Sequence, residues 1–236
     1  MLNINLHKGI FINILRDIYA DPILRVTLGF KGGTAAMLFY ELPRFSVDLD
    51  FDLLDFEKKE AVFEKIKIIL EKYGMLDEAV EKQHTLFFLL KYTKGERNLK
   101  VEISKRNLKS EFQIKNYLGV SMLVMRPEDM IAAKLAALLT RKHLATRDVF
   151  DLWFFLKNNW QINEIVLKEK TGMSLSEALV KAAKQVQTIK SSELLAGLGE
   201  LLDNKQKDWV RENLIKEVVF QLRLYKDTHK IPSGVL

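Results

Sequence analysis

Two aspartates separated by one residue are the first feature of this sequence that could perform chemistry. Asp48 and Asp50 stand in SVDLDFDLL (46–54), where acidic and apolar residues alternate with a period of two. This period predicts a β-strand with both carboxylates on one face and with Leu49 and Phe51 on the other. Two such close carboxylates repel each other unless a cation lies between them. The pair therefore indicates either a site for Mg²⁺, or Mn²⁺ in its place, suited to phosphoryl or nucleotidyl transfer, or an acidic strand face exposed to solvent.

The residues around this strand bear on the choice between the two interpretations. Asp52 and Asp55 extend the acidic run, which favours a solvent-exposed face. Upstream, Gly32 and Gly33 form a turn signal at which backbone N–H groups can approach a phosphate, and Thr34 adds a hydroxyl at the start of the next predicted helix. An isolated glycine pair is as consistent with a tight turn that binds nothing. The order of strand, glycine turn, helix and acidic strand, however, is what a site for a nucleoside triphosphate (NTP) requires.

Composition sets the range of proteins to consider. The 236 residues are 48% hydrophobic and 29% charged, which suits one globular domain or a catalytic domain with a helical extension. The absence of cysteine excludes disulfides, thiolate metal sites and cysteine nucleophiles. A net charge of +6 favours polyanionic partners, although many unrelated proteins share it. No signal peptide and no apolar run of membrane-spanning length is found, so we expect a cytoplasmic protein without membrane contact.

The order of patterns in the first half of the sequence predicts a mixed α/β fold. A first amphipathic helix ends before Pro22, the β-branched segment 23–30 is typical of a strand, and a short helix follows Thr34. After the acidic strand, a helical pattern runs over 56–73. Four further segments have strand character: MLDEAVEKQ (75–83), HTLFFLLKYT (84–93), NLKVEISKR (98–106) and FQIKNYLGVSMLVM (112–125).

Helical patterns occupy nearly all of the sequence after Pro127, and strand signals disappear. The predicted helices are 127–141, 145–158, 161–170, 174–188, 191–203 and 206–227. The predicted class is therefore α/β (α+β), with a mixed-sheet core in residues 1–125 and an all-α helical half in residues 126–236.

Four segments, in this order, resemble the AbiEii/AbiGii-type nucleotidyltransferase toxin family, which belongs to the polymerase-β-like nucleotidyltransferase group. They are KGGTA (31–35), RFSVDLDF (44–51), EDMIAAKLAAL (128–138) and RDVFDL (147–152). The resemblance runs from about residue 29 to residue 156, and we recognise no motif in the last 80 or so residues. It implies a nucleotidyltransferase core in 1–125 and a helical domain, 126–236, that contributes Lys134 and Asp148 to the active site.

The resemblance also assigns roles to residues that are ambiguous by themselves. A lysine on an apolar helix, such as Lys134, can simply extend its ammonium to solvent, whereas the resemblance implies that it binds the phosphates of the nucleotide. Asp148, near the start of its helix, fits a helix-dipole interaction, but by resemblance it faces the active site. Asp151, one turn further on, is interpreted as a supporting residue that orients Arg147 or Lys134.

Three other residues complete the predicted site. Glu102 lies on a predicted strand, where it is either an exposed side chain or a third carboxylate that acts as general base toward the acceptor hydroxyl. Arg44 and Ser46, just before the acidic strand, either position phosphates or belong to an ordinary surface loop. His84 and His143 have no partners at metal-ligand spacing and are interpreted as incidental.

By resemblance, the protein is the toxin of a toxin–antitoxin or phage-defence pair, which transfers a nucleotide from an NTP to an acceptor such as tRNA or another RNA. A separate antitoxin protein would be its partner. Two alternatives stay open: a nucleotidyltransferase that modifies a small molecule such as an antibiotic, and a catalytically silent module that binds NTP or RNA.

Overall fold

The computed structural model describes residues 3–106 and 109–229. By its internal contacts the chain divides into two compact units, Met1–Arg126 and Pro127–Leu236. The first unit contains strands and helices, and the described part of the second contains only helices and short 3-10 turns. The predicted class, a mixed sheet with helices followed by an α-helical half, is confirmed. Among the described residues, no helix is long and apolar enough to cross a membrane.

The first unit is built on a sheet to which the described residues contribute seven strands, in the order β3-β4-β5-β2-β1-β7-β6. Its helices are α1 (Ile4–Ala20), α2 (Leu24–Thr27), α3 (Gly32–Phe39) and α4 (Lys59–Glu71). Its strands are β1 (Leu28–Lys31), β2 (Asp48–Leu53), β3 (Met75–Glu81), β4 (Thr85–Lys91), β5 (Leu99–Ser104), β6 (Phe112–Tyr117) and β7 (Val120–Met125). The central strand β2 runs antiparallel to β1 and parallel to β5.

The two faces of this sheet differ in burial because successive strand residues point to opposite sides. Leu49 and Phe51 of β2 are fully buried, as the alternation predicted, and their neighbours in register on β5 are Val101 and Ile103. Helix α4 packs on the same apolar face, where the ring of Phe63 lies 5.0 Å from that of Phe88. The opposite face carries the aspartates and is only partly covered.

Two predictions for the first unit were wrong in detail. Segment 23–30 was expected to be one strand, but it contains helix α2 before β1. The cause is local, because the Asp21 carboxylate accepts hydrogen bonds from the N–H groups of Ile23 and Leu24 and so starts a helical turn. Segment 112–125 was expected to be one strand candidate. It is a hairpin in which β6 pairs with β7 around a turn at Leu118 and Gly119.

The second unit packs five described α-helices, α5 (Pro127–Thr140), α6 (Thr146–Lys157), α7 (Glu164–Thr171), α8 (Leu175–Gln187) and α9 (Asn204–Thr228). Four correspond closely to predicted helices, and α7 begins three residues later than expected. The helix predicted over 191–203 was wrong, because that segment forms two 3-10 turns, Ser191–Glu193 and Gly199–Leu201. Aromatic rings contribute to the core, where Trp153 of α6 lies 4.2 Å from Trp209 of α9, centroid to centroid.

Candidate active site

Strand pairing aligns charged side chains in rows across the partly covered face of the sheet. One row contains Lys31 of β1, Asp50 of β2 and Glu102 of β5, which are successive neighbours in register. The adjacent row pairs Asp48 with Lys100. The Lys100 ammonium lies 3.3 Å from Asp48 Oδ2 and 3.6 Å from Glu102 Oε1, so it bridges the two rows. The predicted carboxylates Asp48, Asp50 and Glu102 are therefore brought together by the pairing of two adjacent strands.

The glycine pair lies directly against this row, at the first turn of α3. Gly32 has a positive φ of 79°, and a β-carbon there would be only 2.3 Å from Asp50 Oδ2. A β-carbon at Gly33 would be 2.7 Å from Arg44 Nη2 and 2.8 Å from Ser46 Oγ. The positive φ and the approach to Asp50 require glycine at position 32, and a side chain at position 33 would displace Arg44 and Ser46. The turn thereby brings backbone N–H groups at the start of a helix beside a carboxylate and a guanidinium.

Thr34 connects the glycine turn to the acidic strand. Its side chain is fully buried, and its hydroxyl donates a hydrogen bond to the backbone carbonyl of Asp48. The hydroxyl therefore fixes the start of α3 relative to β2. A direct contact between Thr34 and a phosphate stays a prediction.

Arg44 and Ser46 do not belong to a surface loop. They are only 6% and 7% exposed, and both pack against Gly33. Arg44 Nη1 also donates a hydrogen bond of 2.9 Å to the carbonyl oxygen of Phe45. These contacts place a cation and a hydroxyl at the same turn as the paired glycines, and their role in binding phosphate stays a prediction.

An ion pair on this face was not predicted from the sequence. Lys31 binds Asp52, which is the third aspartate on the same side of β2 and is 4% exposed. Asp52 Oδ1 accepts a hydrogen bond from the Lys31 ammonium, whereas its Oδ2 has no hydrogen-bond partner among the described residues. The available signal was the period of two, since Asp48, Asp50 and Asp52 must share a face, but the acidic run had been interpreted as evidence for solvent exposure.

A buried histidine on the other side of the acidic strand was also missed. His7 of α1 is fully buried, with Nε2 2.8 Å from the carbonyl oxygen of Val47 and Nδ1 2.7 Å from the hydroxyl of Tyr92. A carbonyl can only accept, so Nε2 carries the proton and Nδ1 accepts from Tyr92. Burial lowers the pKa of His7, which keeps the ring neutral. Through this bond to its carbonyl, His7 fixes the position of Val47, which immediately precedes Asp48.

The ligand atoms on this face suit a small divalent cation. Mg²⁺ usually takes one or two protein carboxylates and completes its coordination with substrate phosphates and water. Asp48 and Asp50 supply such a pair on one face of one strand. Across residues 3–106 and 109–229, no cluster of three or more His, Asp or Glu side chains could hold a metal by itself. A metal bound to Asp48 and Asp50 would therefore need further ligand atoms from a substrate.

The second unit contains a separate charged cluster around Lys134. Its ammonium lies 2.8 Å from Asp148 Oδ1 and 2.7 Å from Asp151 Oδ2, and both aspartates are buried. The second oxygen of Asp148 binds Arg141, a residue that was not predicted from the sequence. Arg141 directly follows the last residue of α5, seven residues after Lys134, and this spacing of about two helical turns was the available signal. The half-buried Arg147 lies on α6.

This cluster gives its members defined contacts. Asp151, expected to support Lys134 or Arg147, contacts Lys134 directly. Both oxygens of Asp148 are engaged by cations, so this carboxylate orients Lys134 and Arg141. The phosphate-binding role of Lys134 and the position of Asp148 at the active site stay predictions.

Comparison with known proteins identifies the family. The family model described as "Nucleotidyl transferase AbiEii toxin, Type IV TA system" matches residues 13–223. The chain belongs to the AbiEii nucleotidyltransferase toxin family. It resembles a crystal structure of a candidate nucleotidyltransferase from H. pylori, with 25% identity, 95% of each chain covered and a TM-score of 0.64. JHP933 from Helicobacter pylori shares the fold at 23% identity, with a TM-score of 0.61 over 97% of this chain and 94% of that one. No curated protein sequence matches the chain.

Membership confirms the resemblance drawn from the four sequence segments. By family, this AbiEii protein is a nucleotidyltransferase of the type IV toxin–antitoxin systems. The two histidines interpreted as incidental, His84 and His143, are both exposed to solvent.

Proposed function

We propose that this AbiEii protein transfers a nucleoside monophosphate from an NTP to a hydroxyl of an RNA acceptor, with Mg²⁺ or Mn²⁺ as cofactor. The observation that supports it most is the packing of Gly32 against the Asp50 carboxylate, with Arg44 and Ser46 at the adjacent Gly33. The two glycines leave room for a phosphate to approach the backbone, and the acid pair and the buried guanidinium beside them supply groups that can bind a metal and a phosphate.

The carboxylates Asp48 and Asp50 hold the divalent metal in this proposal. When bound, such a metal neutralises charge on the transferring phosphoryl group and on its leaving group. The hydrogen bond from Thr34 to the Asp48 carbonyl and the bond from His7 to the Val47 carbonyl fix the backbone on either side of the first carboxylate. This rigidity keeps the two ligands at one separation during catalysis.

The triphosphate binds at the glycine turn. N–H groups of Gly32, Gly33 and Thr34 donate to phosphate oxygens at the start of α3, and Arg44 and Ser46 add a guanidinium and a hydroxyl. For Lys134 we retain the role implied by the family resemblance, a contact with the phosphates of the nucleotide. Asp148 and Asp151 keep its ammonium in one orientation.

Glu102 is the best general base for the acceptor. Its neighbour in register is Asp50, whereas both oxygens of Asp148 are bound to cations. In the reaction, the acceptor oxygen forms a bond to the α-phosphorus of the NTP, the bond to pyrophosphate breaks, and Glu102 accepts the hydroxyl proton. Pyrophosphate leaves with the electron pair of the broken bond.

The acceptor class is RNA, with tRNA as the first candidate, and the protein acts in the cytoplasm until its antitoxin partner counteracts it. The net charge of +6 is consistent with a polyanionic acceptor. A small antibiotic-like acceptor is the competing possibility, and the experiment below separates the two.

The test is incubation with each labelled NTP, Mg²⁺ and total RNA, in parallel with Asp50→Asn. We expect label on RNA with the wild-type protein and none above background with the variant. Label that reaches no RNA contradicts the acceptor class, and equal labelling by the variant contradicts the metal role of Asp50. Growth after induced expression of each protein tests toxicity independently.

A further inference from the structure

The character of the partly covered sheet face changes sharply next to Glu102. Register pairing continues the row of Asp50 and Glu102 onto Phe87 of β4 and then Val80 of β3. In the neighbouring row, Lys100 is followed by Leu89. Strands β2 and β5 therefore present charged groups on this face, whereas β4 presents an apolar strip of Phe87 and Leu89 directly beside them, flanked on β3 by Val80 and Glu78.

Phe87 is the aromatic member of this strip. Its chain neighbours, Leu86 and Phe88, point to the opposite face and are fully buried in the core. Phe87 itself stays partly exposed, and Val80, its partner in register, is 36% exposed. An aromatic ring that is not part of the core and lies one strand away from the proposed general base is positioned to contact a substrate.

The partly exposed ring of Phe87 makes a cation–π contact with a lysine. The ammonium of Lys82 lies 3.3 Å from the Phe87 ring centroid and 3.1 Å from Glu78 Oε1. The Lys82 side chain is 46% exposed, so a flat ligand displaces it from the ring at little cost in free energy. Lys82 stands on one side of the Phe87 row and Lys100 on the other. This arrangement of one ring between two cations complements a nucleobase with phosphates on either side.

We propose that Phe87 forms a subsite that stacks the terminal nucleobase of the RNA acceptor, an inference that rests on the function proposed above. Strand β4 lies two strand spacings from β2, which is about 10 Å. One nucleotide covers this span when its ribose hydroxyl lies at Asp50 and Glu102 and its base lies over Phe87. The displaced Lys82 ammonium then binds a phosphate of the acceptor backbone.

Position in the sheet assigns this subsite to the acceptor and not to the NTP. The strand order β4-β5-β2-β1 puts the glycine turn, where the triphosphate binds, on the opposite side of β2 from Phe87. Glu102 lies between Asp50 and Phe87 in the row. The molecule whose hydroxyl is activated by Glu102 is therefore the one that reaches Phe87. Stacking on a ring face tolerates any base, so the subsite selects for a single-stranded end and only weakly for sequence.

The test compares Phe87→Leu and Phe87→Ala with Phe87→Tyr, which keeps the ring. Ile114→Ala is the matched control, because Ile114 is 75% exposed on β6, at the far edge of the same sheet. We expect both ring-deleting variants to raise the KM for RNA roughly tenfold while the KM for NTP stays unchanged. Phe87→Tyr and the control should match the wild type. Thermal unfolding of each variant identifies any loss of folding, for which Phe87→Leu is the safer substitution.

A second measurement keeps the inference separate from the proposed reaction. The affinity of the wild-type protein and of Phe87→Leu for a short fluorescein-labelled single-stranded RNA is measured by fluorescence anisotropy. A roughly tenfold weaker affinity of the variant supports the subsite even if no transfer is detected. Unchanged RNA affinity and unchanged KM for RNA overturn it, and so does an increase confined to the KM for NTP. Transfer that proceeds without any dependence on Phe87 refutes the subsite alone.

Discussion

The β2 face of the first unit and the Lys134 cluster of the second unit both concentrate charge, but in different proportions. Strand rows on the β2 face carry more carboxylates than ammonium groups: Asp48, Asp50, Asp52 and Glu102 against Lys31 and Lys100. In the Lys134 cluster, two cations face two acids: Lys134 and Arg141 with Asp148 and Asp151.

This difference indicates what each region needs. Buried charges are tolerated when each is paired, so the loss of a charge from the Lys134 cluster should be felt as instability, beside any effect on nucleotide binding. An excess of carboxylates on a partly covered face favours an additional cation, so loss of an acid there should be felt as lost activity. Four predictions test this contrast, from the largest expected effect to the smallest.

Asp50→Asn should abolish activity without damaging the fold. Losing a metal ligand costs several kcal/mol of transition-state stabilisation, which lowers nucleotide transfer roughly a thousandfold. The midpoint of thermal unfolding in chelator should stay equal or rise, since a repulsive charge is removed. Asp77→Asn, on the exposed part of β3, is the control and should leave activity intact. A variant that loses activity only because it unfolds would contradict the contrast.

Lys134→Met should lower stability markedly, in addition to removing the proposed contact with the nucleotide's phosphates. The substitution leaves the buried carboxylates of Asp148 and Asp151 without this ammonium, which should lower the free energy of unfolding by about 3 kcal/mol. Urea denaturation at constant pH measures the effect. Lys181→Met, on the exposed side of α8, should change it by less than about 0.5 kcal/mol. A free energy equal to that of the wild type would show that the cluster does not stabilise its unit.

Mg²⁺ should stabilise the first unit through the acidic face. A ligand that binds only the folded state at a hundred times its dissociation constant adds about 2.7 kcal/mol. The thermal midpoint should therefore rise with Mg²⁺, return to its starting value with chelator, and respond far less in Asp50→Asn. An equal rise in that variant would place the metal elsewhere.

The fourth prediction concerns His7 and pH. Burial lowers its pKa, so the unfolded chain takes up the proton first as pH falls through about 6.5. The histidine therefore contributes stability above this pH and loses it below, at no more than about 1.4 kcal/mol per pH unit. Urea titrations between pH 7.5 and 5, without metal, should show a shallower decline for His7→Gln. Parallel curves would refute this assignment, and His84→Gln, at an exposed position, is the control.

Much of the fold could be predicted because its patterns are local. The period of two in β2 correctly predicted that Leu49 and Phe51 are buried, and the helical spacing of apolar residues correctly predicted α4 and α9. The helix expected over 191–203 failed although its leucines have helical spacing. Gly197 has a positive φ of 66°, which interrupts the helix and leaves only 3-10 turns.

The site could be predicted only where its residues lie near one another in the sequence. The glycine pair and the aspartates are separated by one short helix, so their order alone indicated a site. His7 and Tyr92 are separated by 85 residues, and only the packing of α1 near the end of β4 brings them together behind Val47. The position of Phe87 beside Glu102 likewise depends on strand register and could not be predicted from the sequence.

The hydrogen bond from Thr34 to the Asp48 carbonyl links the glycine turn directly to the strand that carries the carboxylates. A ligand that orders the glycine turn must also restrict the strand that bears the carboxylates, and the reverse holds equally. We therefore expect the affinities for NTP and for divalent metal to be thermodynamically coupled, each raising the other by the same factor. At low metal concentration the protein should therefore respond more strongly to the metal–nucleotide complex than to either component by itself.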